Sequence, residues 1–332
     1  MELPNKTVPT RIRPKAEVRL DENESPFNAP YNRYLDESSL SSLKQSWGKH
    51  EHIPSKCIYF CNSTEESTDL IMRAFTRQHT DNVVAITPTR SIYKKRSLIN
   101  NVSYKEAPLR ESDYELDASQ MLNEVDNDTK LIFLCSPNSP TGNLLDTNEI
   151  ELILQLFDGI VVVDESYIDF CAHASVVPLL NKYKNLIILR SFSHAWSMAG
   201  VHMAAIVAYP DVIDQISKVG FTHPISCTVE EMVSNMLSHR LDVDKWTRQI
   251  IDERTKVRLA LSDIPACKHI YHSDANFLLV RFDDCQSVYK YLLKNGIAVK
   301  PVCGCLRISI GLPTENSALL GALRRRKIQK NV

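Results

Sequence analysis

The sequence predicts an α/β protein with a mostly parallel sheet in a large domain and a smaller α+β domain after it. Three observations point there. Apolar, β-rich runs at residues 57–61 (CIYFC), 82–86 (NVVAI), 130–135 (KLIFLC), 159–165 (GIVVVDE) and 185–191 (NLIILRS) alternate with helical patterns. Uninterrupted Val/Ile/Leu runs of this kind belong to strands covered on both faces. From about residue 220 the pattern changes to a long charged amphipathic segment at 242–264, a strand at 276–282, a helix at 285–295 and short strands at 297–302 and 305–310. That order suits helices set against an antiparallel sheet. Finally, 332 residues exceed one minimal core.

The expected division is an N-terminal arm over residues 1–40, a large domain over 41–220 and a small domain over 221–332. The arm is rich in Pro and Asn and lacks periodicity, so it must pack on something else to be ordered. Residues 190–208 open with hydroxyls, continue through an apolar helix-like segment and become a strand.

Hydrophobic residues at 43% and a formal net charge of -1 describe an ordinary globular chain and give no footprint for nucleic acid or a membrane surface. The basic run Arg324, Arg325, Arg326, Lys327 ends a helical pattern and is expected to be solvated. The first twenty residues have no apolar core of a signal peptide and no 18-residue apolar run occurs, so a cytoplasmic location is expected. Nine cysteines in that setting predict free thiols. Cys303 and Cys305 lack a second pair at zinc spacing, so no metal is expected. Glycine is scarce: 9 residues in the whole chain, well under the usual share of about 7%, leaves few positions for backbone to wrap a phosphate.

Six stretches occur in order: LDENESPFNAPYNRYLD (20–36), SPNSPTGN (136–143), VVVDESYIDF (161–170), SFSHAWSMAGVHMA (191–204), ANFLLVRF (275–282) and CLRISIGLPTEN (305–316). Together they resemble the ordered motifs of histidinol-phosphate aminotransferases, fold-type I pyridoxal-phosphate enzymes of the class I/II aminotransferase superfamily. The resemblance implies that Asp164 faces the cofactor's pyridine nitrogen and that Tyr167 meets its 3-oxygen. It also implies that Arg307 binds a substrate carboxylate through its planar fork. Asn23 and Tyr31 would line the substrate end, and Tyr34 would reach a partner subunit's cofactor phosphate, which implies a homodimer. Blander readings stand beside these: Asp164 as a cap for the next helix, Arg307 as a strand-edge salt bridge.

The departures from the resemblance carry more information. His194 stands where the family has its Schiff-base lysine, and an imidazole cannot form the internal aldimine. His202 replaces the phosphate-anchoring arginine, and Ser63-Thr64-Glu65-Glu66 replaces a glycine-containing phosphate turn. Ser139 replaces an asparagine, and Arg90 replaces the aromatic that stacks on the ring. Ser63, Thr64, Ser139, Ser191, Ser193 and Tyr34 are then remnants of cofactor binding. No cofactor is expected, with pyridoxal or pyridoxamine phosphate held non-covalently as the alternative.

Three functional readings follow. One is an enzyme without that cofactor, acting on a small carboxylate- or phosphate-bearing molecule with His194 as acid, base or nucleophile and Tyr167 and Asp164 beside it. Its substrate would lie among Arg90, Arg307, His202, Asn23 and Tyr31. The second keeps the cofactor non-covalently with His194 as base. The third is a non-catalytic dimer partner. In the first, a buried Asp164 needs another cation, and Arg90 is expected to supply it, with His194 facing the same cavity. The alternative is a core histidine and a solvent-facing arginine.

Overall fold

The structure, a computed structural model, describes residue 18 and residues 20–330. The strands, in chain order, are β1 (Ile58–Cys61), β2 (Asn82–Thr87), β3 (Ser103–Pro108), β4 (Thr129–Cys135), β5 (Ile160–Asp164), β6 (Leu186–Ser191), β7 (Ala204–Ala208), β8 (Cys267–Ile270), β9 (Phe277–Phe282), β10 (Lys300–Val302) and β11 (Cys305–Ser309). The α-helices are α1 (Glu37–Glu51), α2 (Thr64–Phe75), α3 (Ile92–Ile99), α4 (Ala118–Asn123), α5 (Thr147–Leu156), α6 (Pro210–Val219), α7 (Cys227–Ser238), α8 (Arg240–Ser262), α9 (Cys285–Lys294) and α10 (Pro313–Lys330).

Seven strands form one sheet in the order β1-β7-β6-β5-β4-β2-β3. From β6 through β3 they run parallel, and β7 is antiparallel to both β6 and β1. Alternation along β5 explains its unbroken apolar sequence. Val161 and Val163 enter a core with Leu43 and Trp47 of α1, Ile150 and Ile153 of α5 and Val233 of α7. Val162 enters the opposite core with Leu70, Ile71 and Met72 of α2 and Ile213 and Ile216 of α6. Both faces are buried, as parallel sheets require.

The second sheet is antiparallel, in the order β10-β11-β9-β8. Leu278, Val280, Leu306 and Ile308 pack there with Val257 and Leu261 of α8 and Leu319 of α10. The two sheets are joined at a close approach that needs glycine. Gly142 has φ +92°, and a Cβ on it would stand 2.5 Å from Ser273 Oγ. Its carbonyl accepts from Asp274 N at 2.8 Å, and Asp274 in turn accepts from Leu144 N at 3.1 Å.

Two local expectations need correction. The segment between β6 and β7 is not helical but a run of bends and turns. Its apolar spacing comes from a buried connection: Phe192, Ala195, Trp196 and Met198 are each at most 5% exposed, while Ser197 and His202 take left-handed φ of +55° and +57°. The basic run in α10 is only partly solvated. Arg324 and Arg325 are exposed, but Arg326 is 6% exposed and donates to Ser287 Oγ at 3.1 Å.

Among the described residues no helix is long and apolar enough to cross a membrane, and no group of three His, Cys, Asp or Glu is placed to hold a metal. All nine cysteines are free.

Candidate active-site cleft

In an open parallel sheet the strand carboxyl ends and the loops leaving them form the natural crevice. Four sequence-predicted residues converge there because each follows a different neighbouring strand. Arg90 follows β2, Ser139 follows β4, Asp164 ends β5 and His194 follows β6. Arg307 reaches the same place from β11 of the second sheet.

Asp164 is fully buried. A carboxylate out of water is costly unless it is paired and hydrogen-bonded. Here Arg90 Nη1 pairs with Oδ2, which also accepts from the Tyr93 hydroxyl at 2.7 Å. Oδ1 accepts from Ser166 N at 3.0 Å and from the Ser166 hydroxyl. The expected Arg90–Asp164 pairing is therefore present. Arg90 itself donates to Ser166 Oγ at 2.9 Å and to Thr64 Oγ1 at 3.0 Å. Burial works against its charge, but Asp164, with Tyr93 and Tyr167 beyond it, raises its pKa. The Tyr93 phenol is pushed well above its ordinary range by burial and by Asp164, so it keeps its proton and donates.

Tyr93 and Ser166 are the two members of this network that sequence reasoning missed. Tyr93 lies in the first turn of α3, three residues after Arg90 in the loop that leads into the helix, and that short separation was the available signal. For Ser166 the signal was an Asp two residues earlier, the geometry of an Asx turn.

Tyr167 and His194 face each other. Their rings stack at 4.5 Å with 23° between planes, and Phe277 closes the other side of Tyr167 edge-on at 5.3 Å. Among the described residues no hydrogen bond reaches the His194 side chain. Burial and then the Arg90 charge push its pKa down to about 4, against the pull of Asp164, with Arg307 adding to the depression. The ring is neutral at pH 7. Beneath the turn that carries Tyr167, buried Arg190 pairs with Glu51 and stands 3.5 Å from Glu165, whose carboxylate accepts from Val176 N at 2.7 Å and Ser175 Oγ at 2.9 Å.

Arg307 donates from Nη1 to Ser139 Oγ at 2.7 Å and lies 5.1 Å above the Phe277 ring. Its Nε is buried with no partner among the described residues. Cys135, at the end of β4 beside Asp164, is pushed up to about 12 by burial and by that carboxylate, so it offers a thiol rather than a thiolate nucleophile.

The remaining residues are placed differently. Ser63 caps α2 by accepting from Glu66 N at 3.1 Å, and Glu66 reaches back to Asn62 N at 2.8 Å. This is close to a capping box, and it leaves a carboxylate at the helix's positive end. Ser191 Oγ accepts from Ser193 N at 3.2 Å at the end of β6. Asn23, Tyr31 and His202 are exposed and do not join the network. Tyr34 is half exposed and stacks on His223 at 4.3 Å.

Comparison with known proteins agrees with this architecture. The histidinol-phosphate aminotransferase of Parabacteroides distasonis is 38% identical over 319 residues, covering 94% of this chain and 92% of its own. The solved histidinol-phosphate aminotransferase of Clostridium acetobutylicum superposes with a TM-score of 0.82 at 21% identity, covering 91% of this chain and 92% of that one. The one from Sinorhizobium meliloti, in complex with pyridoxal-5'-phosphate, gives 0.80 at 19%, covering 89% and 83%. At those identities the solved structures speak for the fold.

The comparisons correct the cofactor expectation. A chain matched to histidinol-phosphate aminotransferases over nearly its whole length falls in a family that uses pyridoxal phosphate, as the S. meliloti complex illustrates, so the absence expected from the five departures is overturned. The family model for aminotransferases of class I and II matches residues 12–323, and with relatives this close the chain belongs to that family.

Proposed function

We propose that this chain acts on a small amino-acid-like molecule carrying a carboxylate or phosphate, of the kind for which its histidinol-phosphate aminotransferase relatives are named. The observation that carries the reading is Arg307: a half-buried guanidinium held by Ser139 at 2.7 Å, with a buried Nε that has no partner among the described residues. An unpaired buried donor is costly, and an incoming oxyanion would satisfy it. With Arg90 and Asp164 neutralising each other, Arg307 leaves the cleft with one positive charge to spare. His194, kept neutral, offers a ring nitrogen that accepts a hydrogen bond from a substrate ammonium group. Tyr167 fixes the ring plane by stacking.

Pyridoxal phosphate, the family's cofactor, brings a pyridine ring, a phosphate and an aldehyde. As these side chains are arranged they do not seat it: Asp164 already holds a cation, Glu66 lies at the start of α2 and position 194 has no amine.

The homodimer belongs to the same proposal. Leu20, Phe27 and Tyr31 of the arm are 91%, 78% and 59% exposed, more apolar surface than a short segment normally leaves in water. Isothermal titration with histidinol phosphate tests the substrate reading. Saturable binding by the native chain, weakened at least about tenfold in Arg307→Gln, is expected, since losing a charge-assisted hydrogen bond costs about 1.5–3 kcal/mol. Equal binding by both proteins would contradict it.

A further inference from the structure

The Asp164 carboxylate poses a problem of charge. It is the fully buried acid at the strand ends, and four donors already surround it: Arg90 Nη1, the Tyr93 hydroxyl, and the amide and hydroxyl of Ser166. Its charge is balanced by one cation, Arg90, whose guanidinium is tied at its other end to Thr64. A protonated pyridine nitrogen is also a cation that seeks a buried carboxylate. Both cannot pair with the same oxygen, because two like charges in a dry cleft repel and one carboxylate neutralises only one of them.

The geometry points to Arg90 as an internal occupant of the Asp164 site, so that a pyridinium ring reaches this carboxylate only by displacing the arginine. The exchange is one cation for another and forms and breaks no covalent bond. Tyr93 and Ser166 keep their bonds to Asp164 throughout, which holds the carboxylate in place while its cation changes. Arg90 sits in the loop after β2 and its side chain is 17% exposed, so part of it already meets water. This goes beyond the proposed function, because neither Arg307 nor His194 enters it.

The test uses pyridoxamine phosphate, which carries the pyridine ring and phosphate but no aldehyde and so cannot condense with surface lysines. Binding is followed by tryptophan fluorescence and by the rise in melting temperature, for the native chain, for Arg90→Gln and for the neutral pair Arg90→Gln/Asp164→Asn. In Arg90→Gln the probe should bind at least about tenfold tighter than in the native chain and should restore much of the melting temperature lost with the arginine, because the ring supplies the missing cation. The neutral pair should show no such gain. A native structure with the probe bound should have Arg90 off Asp164, which decides the matter even where Arg90→Gln does not fold. Affinity no tighter in Arg90→Gln, an undiminished gain in the neutral pair, or a bound probe with Arg90 still on Asp164 would each overturn the inference.

Discussion

His194 shows how three neighbours set the chemistry of one side chain. Burial and the charges of Arg90 and Arg307 depress its pKa to about 4, against an ordinary value near 6.5. Between those two values the unfolded chain binds a proton at this position and the folded chain does not. Stability therefore falls as pH drops from about 6.5 towards 4, and the contribution is absent above pH 6.5. Buried Glu165 and half-buried Asp169, whose pKa values are raised by loss of solvent, act with the opposite sign, so the readout is a difference. The melting temperature of His194→Gln should fall less than that of the native chain between pH 7 and pH 5. Parallel curves would show that the imidazole is not held neutral. Much of this residue scale could be read from sequence: Asp164, Arg90, Ser139 and Arg307 meet as their motifs implied. Exposed Asn23, Tyr31 and His202 do not, because a motif gives a position along the chain and not the direction of a side chain.

At the scale of elements, the start of α2 is the clearest case of local chemistry deciding structure. Ser63 caps the helix by accepting from the Glu66 amide and Glu66 returns to the Asn62 backbone, so the helix start is capped by its own side chains. Ser63→Ala should lower the stability of the chain by about 0.5–2 kcal/mol in urea unfolding, with an unchanged denaturant slope. A loss below that range would mean that water caps the helix equally well. Central strands β2, β4, β5 and β6 were legible because both faces are covered and their sequences are unbroken apolar runs. Edge strand β3 was not: in SYKEAP only Ala107 is buried, and the strand carries charges and a proline of the kind that protects an edge. Strand β8, CKHI, was hidden for the same reason. The segment after β6 misled in the other direction, since buried loop residues imitate helical spacing when Phe192, Ala195, Trp196 and Met198 all point inward.

For the whole molecule, family and fold were legible because six motifs fall in order along one chain, whereas the cofactor expectation failed. The residues at positions 194 and 90 describe this chain, while use of pyridoxal phosphate is a property of the family that those positions alone do not revoke. The apolar face of the arm leads to an assembly prediction: sedimentation at micromolar concentration should give twice the chain mass, and Phe27→Ser/Tyr31→Ser should shift the population towards the chain mass. A monodisperse monomer for the native protein would remove the dimer from the account. The central claim is that Arg307 and a neutral His194 share one anion-binding cleft. Nitrogen NMR of the imidazole rings, with His194 assigned by His194→Gln, tests it most directly. The ring should titrate near pH 4 and its resonances should move when histidinol phosphate is added at pH 7, with at least about tenfold more ligand needed for the same movement in Arg307→Gln. A His194 that titrates near 6.5, or resonances indifferent to the ligand, would contradict it.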